Sequence, residues 1–139
     1  MSLENLVATG VLTPEAADVE EFNGLVRSGV ARLKDARNTD ISLDGRFDLA
    51  YSAAHALCLA ALRHRGYRST KRYIVFQVLP DTLELGPDVW RVLDKCHNMR
   101  NRTEYEGAME MDSQLFEALL VAADKVAARV AALPKLAKR

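Results

Sequence analysis

Apolar residues recur at three- and four-residue steps along most of the 139-residue chain, which gathers them on one face of an α-helix. No segment shows the two-residue alternation typical of a half-buried strand. The pattern predicts an all-α fold, a compact up-and-down bundle of about five helices in one domain over 1–139, with its core in about 14–133. The predicted helices run from Thr13-Pro14 to near Arg37, from Ser42 or Asp44 to the stop at Gly66, from Ser69 or Thr70 to Pro80, from Gly86-Pro87 to near Gly107, and from Asp112 or Ser113 to Pro134.

The second predicted helix is the most apolar one. His55 is the only polar residue between Ala53 and Leu62, so we expect this helix to be the central, most enclosed element. Ser52 lies one turn from His55, but no obvious third group completes a nucleophilic site, and a core or interface histidine with satisfied hydrogen bonds is expected. The two cysteines, Cys58 and Cys96, occupy apolar helical positions and are expected to be buried and unpaired.

An arginine interrupts the apolar face of the fourth predicted helix. Turning about 100° per residue from Val89 places Leu93 and Cys96 within about 40° of it. Arg100 falls at about 20°, inside the same stripe. A guanidinium group on a core-facing side is costly unless it is paired or opens into a cleft. The remaining helices are therefore expected to form the walls around Arg100.

A basic segment follows the second predicted helix. Five of the ten residues in 63–72 are Lys or Arg, with Tyr67 among them and Tyr73 just after. Such a segment is suited to phosphate binding and base stacking. The alternative is that the cations at the helix C-terminus interact favourably with the helix dipole and that the following loop is charged because it is solvated. The candidate nucleic-acid-binding residues are Arg63, Arg65, Arg68, Lys71 and Arg72, with Arg102 further along the chain.

The composition of the chain limits the kinds of functional site that it can have. The formal net charge is zero, so a basic site has to be a local patch. The chain has no glycine-rich phosphate loop, and its three histidines lie in different segments, so we expect no metal and no cofactor. No apolar run approaches the roughly 20 residues of a membrane span, and a cytoplasmic protein is expected.

Arg100, Asn101 and Tyr105 are the candidate catalytic or anion-binding residues. Arg100 is suited to bidentate phosphate binding, and Asn101 to orienting it or donating to a phosphate oxygen. Tyr105 offers a hydroxyl whose ordinary pKa near 10 makes it a poor general base. The alternative is structural, because Arg100 and Glu104 are four residues apart and are able to pair as a clasp at the helix end.

Two motifs make the chain resemble the HEPN family (higher eukaryote and prokaryote nucleotide-binding), a family of compact helical bundles. The first is the stretch from Asp48 to Leu62, which includes Tyr51-Ser52-Ala53-Ala54-His55-Ala56. The second is Arg100-Asn101, followed by the turn Tyr105-Glu106-Gly107. The resemblance implies metal-independent endoribonuclease chemistry in active members, which are often toxins of toxin–antitoxin pairs and act as homodimers with two motifs facing across a cleft.

The second motif departs from the active pattern at its last position. Active members carry an arginine, often followed by Asn or another polar residue, and then a histidine at a spacing of four to six residues. Here the four-residue spacing falls on Tyr105 and the six-residue spacing on Gly107. His97, three residues before Arg100, is the only nearby replacement. The resemblance therefore implies a homodimeric RNA- or nucleotide-binding protein with degenerate or absent cleavage. A nucleotidyltransferase-like protein is the kind of partner that the resemblance suggests. The alternative is a non-catalytic helical interaction module in which Arg100 and Glu104 form a structural clasp.

Overall fold

The structure confirms the all-α prediction. It is a computed structural model that describes residues 2–106 and 112–136, and the side chains of all of these except 103–106. Seven helices and one two-stranded ribbon make up the described part of the chain. They are α1 (Leu3–Ala8), β1 (Leu12–Pro14), α2 (Val19–Asp35), α3 (Leu43–His64), β2 (Tyr67–Ser69), α4 (Ile74–Gln77), α5 (Leu79–Thr82), α6 (Pro87–Glu106) and α7 (Ser113–Ala131).

The helix α3 is the centre of the bundle, as its apolar sequence predicts. It packs most extensively against α2 and α7, and it also contacts α4, α5, α6 and β2. Twelve of its 22 residues are buried. Buried apolar side chains from all seven helices join around α3 into one cluster. Both cysteines belong to this cluster and are unpaired, as expected.

Local capping signals place the ends of the long helices. The hydroxyl of Ser42 accepts a hydrogen bond from the backbone of Gly45 at 3.1 Å and begins α3, as predicted. Asp112 caps α7 in the same way, through the backbone of Gln114 at 2.8 Å. Both caps satisfy backbone donors that the first helical turn leaves unpaired.

The predicted start of the first long helix is wrong. Thr13 and Pro14 belong to β1, and α2 begins five residues later, where Asp18 accepts a hydrogen bond from the backbone of Glu20 at 2.8 Å. The expectation that the chain contains no strand is therefore also wrong. Antiparallel pairing of β1 with β2, in the register Thr13 to Arg68, satisfies the backbone groups that a helix would otherwise bond.

The predicted third helix is also corrected. Ser69 lies in β2 instead of capping a helix, and the predicted segment contains two one-turn helices, α4 and α5. Pro80 does not end a helix but lies in the first turn of α5, where its missing N–H has no helical partner to lose. Over the described residues, no helix is both long enough and apolar enough to cross a membrane.

Candidate nucleic-acid interface

The guanidinium group of Arg100 lies over an aromatic ring of the central helix. Its Cζ atom is 4.9 Å from the centroid of the Tyr51 ring, and its Nε atom is 3.9 Å from Oδ1 of Asp48. The side chain is 27% exposed, so it reaches the edge of the bundle. A cation over a ring face gains electrostatic attraction and keeps part of its hydration. This contact explains how an arginine is accommodated on the apolar stripe of α6.

Tyr51 is held in place from α6 by His97. The phenol oxygen of Tyr51 lies 2.8 Å from Nδ1 of His97, and the Asn101 amide donates to Nε2 of the same imidazole at 3.1 Å. With Nε2 accepting, Nδ1 carries the proton and donates to the phenol. Asn101 therefore binds a histidine side chain one turn away. Both His97 and Tyr51 are buried, at 8% and 1% exposure.

Burial and nearby charges act in opposite directions on Tyr51. Burial raises the pKa of its phenol, while the positive charges of Arg72 and Arg100 oppose that rise. Arg72 comes from the loop before α4, whereas Arg100 comes from the end of α6. Arg72 and Arg100 therefore both bring positive charge to the surroundings of Tyr51, from two different elements.

Two predicted participants lie outside the described side chains. These are Tyr105, the candidate hydroxyl group, and Glu104, the predicted clasp partner of Arg100. The backbone of α6 continues through both positions to Glu106. Arg102, also predicted to bind nucleic acid, is exposed on this last part of the helix.

Arg63 has a structural position instead of the predicted surface position. Its side chain is 1% exposed, and its Nε donates to the Glu21 carboxylate at 2.5 Å. Its terminal nitrogens donate to the carbonyl oxygens of Glu15 at 2.9 Å and Ala16 at 2.8 Å. A residue buried in this way is out of reach of a ligand on the surface. Arg63 instead joins the end of α3 to the segment that precedes α2.

Two further cations of the basic segment are engaged within the protein. Arg68 pairs with Glu15 and Glu21 at 2.7 Å each. Partial burial raises the pKa of Glu21, but hydrogen bonds from Arg68 and Arg63 outweigh this effect and lower it overall. Arg65 donates to the backbone oxygen of Asp81 at 2.6 Å. Residues that are close together in the basic segment therefore bind different partners in the fold.

Lys71 and Arg72 are the members of the segment that remain available. Both are exposed, and neither side chain has a hydrogen bond or ion pair within the described part of the structure. Both line a cavity of about 290 Å³ together with His55. Of the cations predicted in this segment, these two are therefore exposed together on one side of α3.

His55 differs from the satisfied histidine that its apolar surroundings predict. Its Nε2 atom is buried and has no hydrogen-bond partner among the described residues. Burial lowers the pKa of His55 to about 4, with smaller contributions from Arg72, His97 and Arg100, so the imidazole is neutral at pH 7. Its ring packs edge-to-face with Phe76, at 5.9 Å between centroids. Leaving a buried nitrogen unpaired costs about 1–3 kcal/mol, which makes this position a candidate for function.

The residues that the sequence did not identify are the supporting ones. Tyr51 as the platform for Arg100, and Glu15 and Glu21 as the partners of the basic segment, were not predicted. Tyr51 and His55 are four residues apart on α3, a spacing that places both on one helical face and was the available signal.

No group of three or more His, Cys, Asp or Glu able to hold a metal occurs among the residues described. Comparisons with protein-family models, curated proteins and solved structures found no match for this chain.

Proposed function

We propose that the chain is a HEPN-like protein that binds RNA or a nucleotide through a surface strip along α3. The strip consists of Arg100 over Tyr51, then Arg72 and Lys71 beside His55. The observation that supports it most directly is geometric: the Arg100 guanidinium group lies 4.9 Å from the ring centroid of Tyr51, and Arg72 lines a cavity with His55, one turn further along α3. Two guanidinium groups converging on one helical face suit the spaced negative charges of a phosphate backbone.

The support for Arg100 as a phosphate ligand is its fixed position. Stacking on Tyr51 restricts the guanidinium plane, and a pre-organised fork loses less conformational freedom when it binds an anion. Asp48 is 62% exposed and 3.9 Å away, so its attraction for Arg100 is screened by solvent. This contact therefore leaves Arg100 able to bind a backbone phosphate through its two non-bridging oxygens.

The chemistry of the strip favours binding over cleavage. Both nitrogens of His97 are engaged in hydrogen bonds, and burial raises the pKa of Tyr51 away from neutrality. An efficient general acid or base has a pKa near the working pH. Metal-independent ribonuclease activity is therefore the weaker part of the proposal. Homodimerisation, a nucleotidyltransferase-like partner and a toxin–antitoxin role are consistent with the family resemblance and stay proposals.

Fluorescence anisotropy with a labelled single-stranded RNA tests the strip. Arg100→Gln and Arg72→Gln are each expected to weaken binding about tenfold and to reduce the slope of log affinity against log salt by about one. Arg91→Gln is the matched control, because Arg91 is an exposed arginine at the other end of the same helix. Equal affinities for all four proteins would contradict the proposal. Intact RNA after prolonged incubation would support binding without cleavage.

Thermal unfolding of Arg100→Gln separates binding from a structural clasp. The binding proposal predicts a melting temperature close to that of the wild type together with weakened RNA binding. The interaction-module alternative predicts the reverse, a stability loss of about 3–5 kcal/mol if a buried pair is broken, with RNA affinity unchanged.

A further inference from the structure

A cavity of about 290 Å³ opens between α3 and the loop that joins β2 to α4. Its size is close to the lower end of the range of ~300–1,000 Å³ typical of small-molecule pockets. The wall combines the cations Lys71 and Arg72, the apolar side chains Leu59 and Val75, and the imidazole of His55. We refer to it as the His55 cavity.

The cationic side of the His55 cavity suits an anion. Lys71 and Arg72 are exposed, and within the described part of the chain their side chains have no partner. Arg68 also lines the cavity, but it is neutralised by Glu15 and Glu21. Two unneutralised cations at one rim favour a group with more than one negative oxygen, such as a phosphate.

The inner side suits a flat ring instead of a bare ion. Leu59 is partly buried and Val75 is 2% exposed, so these walls are apolar. His55 contributes an imidazole whose buried Nε2 has no partner among the described groups. Since burial lowers the pKa of His55 to about 4, the neutral ring offers one N–H donor and one acceptor.

We infer that the His55 cavity receives one unpaired nucleotide, with its phosphate at Lys71 and Arg72 and the edge of its base at His55. This inference rests on the proposed function and deepens it, because it adds base recognition to phosphate binding. A base in a duplex keeps its hydrogen-bonding edge inside the helix, so the ligand is a single-stranded RNA or a free nucleotide. The strip from Arg100 would then hold neighbouring phosphates of the same strand.

Histidine NMR signals report on the cavity directly. The chain has three histidines, and His64 is a built-in control because its Nε2 lies 2.7 Å from the backbone oxygen of Pro134, at another site. Titration with the four nucleoside 5′-monophosphates is expected to shift the ring signals of His55 while leaving those of His64 in place. Ribose 5-phosphate, which has no base, is expected to shift His55 much less. A shift of His64 equal to that of His55 would overturn the inference.

Two substitutions test the imidazole. His55→Phe keeps a ring but removes both nitrogens, and the preference for the best mononucleotide over ribose 5-phosphate is expected to fall about five- to tenfold. His55→Gln restores a hydrogen-bonding group and is expected to recover part of it. An unchanged preference in His55→Phe would overturn the inference. If His55→Phe does not fold, the wild-type NMR titration decides alone.

A single-stranded RNA oligomer separates this inference from the proposed function. Binding that depends on Arg100 but shows no base preference would overturn the His55 cavity alone. Failure of both the oligomer and the mononucleotides to bind would overturn both. Tight oligomer binding with base preference but weak mononucleotide binding would assign the cavity to a strand, whereas comparable affinities would assign it to a free nucleotide.

Discussion

Nδ1 of His97 lies 2.8 Å from the phenol oxygen of Tyr51, and this hydrogen bond joins α6 to the middle of α3 beside Arg100. The bond has two consequences that substitutions separate. It satisfies a buried imidazole, and it fixes the ring on which the Arg100 guanidinium group rests. The first affects stability, whereas the second affects binding.

Replacing Tyr51 separates these two effects. Tyr51→Phe keeps the ring and removes the hydroxyl, so we expect a stability loss of about 1–3 kcal/mol from the lost hydrogen bond to Nδ1 of His97 and nearly unchanged RNA affinity. Tyr51→Leu also removes the platform and is expected to weaken RNA binding. Urea denaturation and anisotropy measure the two quantities. Equal loss of RNA binding in both variants would show that the ring is not the platform.

Arg63 is predicted to be the most sensitive cation of the basic segment. Arg63→Met removes one of the two arginine partners of Glu21 and leaves the carbonyl oxygens of Glu15 and Ala16 unsatisfied, so we expect a loss of about 3–5 kcal/mol in the free energy of unfolding. The control Arg65→Met changes an exposed residue and is expected to cost less than about 1 kcal/mol. Equal unfolding free energies in the two variants would contradict this role for Arg63.

His55 predicts a pH dependence of stability. Its pKa is 6.5 in the unfolded chain and about 4 in the fold, so the unfolded state takes up the proton first. Stability is therefore complete above pH 6.5 and declines as the pH falls toward 4. Thermal melts between about pH 7.5 and 4.5 cover most of the interval between the two pKa values. They should show a flatter dependence of melting temperature on pH for His55→Gln, which does not titrate. Parallel profiles would contradict the burial of His55.

Two glycines of α2 form a matched pair. A Cβ atom at Gly29 would lie 2.6 Å from Cγ of Leu57 and 3.2 Å from the backbone oxygen of Ala53, both on α3. We expect Gly29→Ala to destabilise the fold by about 1–3 kcal/mol through overpacking. Gly24 has no close neighbour besides Arg27 at 4.0 Å, so Gly24→Ala is expected to stabilise the helix by about 0.5–1 kcal/mol. If urea denaturation shows that both substitutions change the free energy of unfolding in the same direction, α2 and α3 do not approach each other this closely.

Local signals predicted the helices well, because a helix is built from contacts within four residues. The cap at Ser42, the start at Gly86-Pro87 and the cap at Asp112 were predicted and confirmed for this reason. The ribbon of β1 and β2 was missed, because three-residue strands are too short to show a period. Thr13-Pro14 has the sequence of a helix start, and a pairing partner more than fifty residues away decides otherwise.

The sequence by itself determined the helical class, the central position of α3 and the position of Arg100 on an apolar stripe, since each follows from spacing along one helix. Only the tertiary structure decided what each charge touches. Arg63 and Arg72 are alike in a basic run, yet one is buried against Glu21 and the other lines a cavity with His55. Tyr51 beneath Arg100 was equally beyond local prediction. Charge pairing depends on distances between segments far apart in the chain, and helical periodicity contains no information about them.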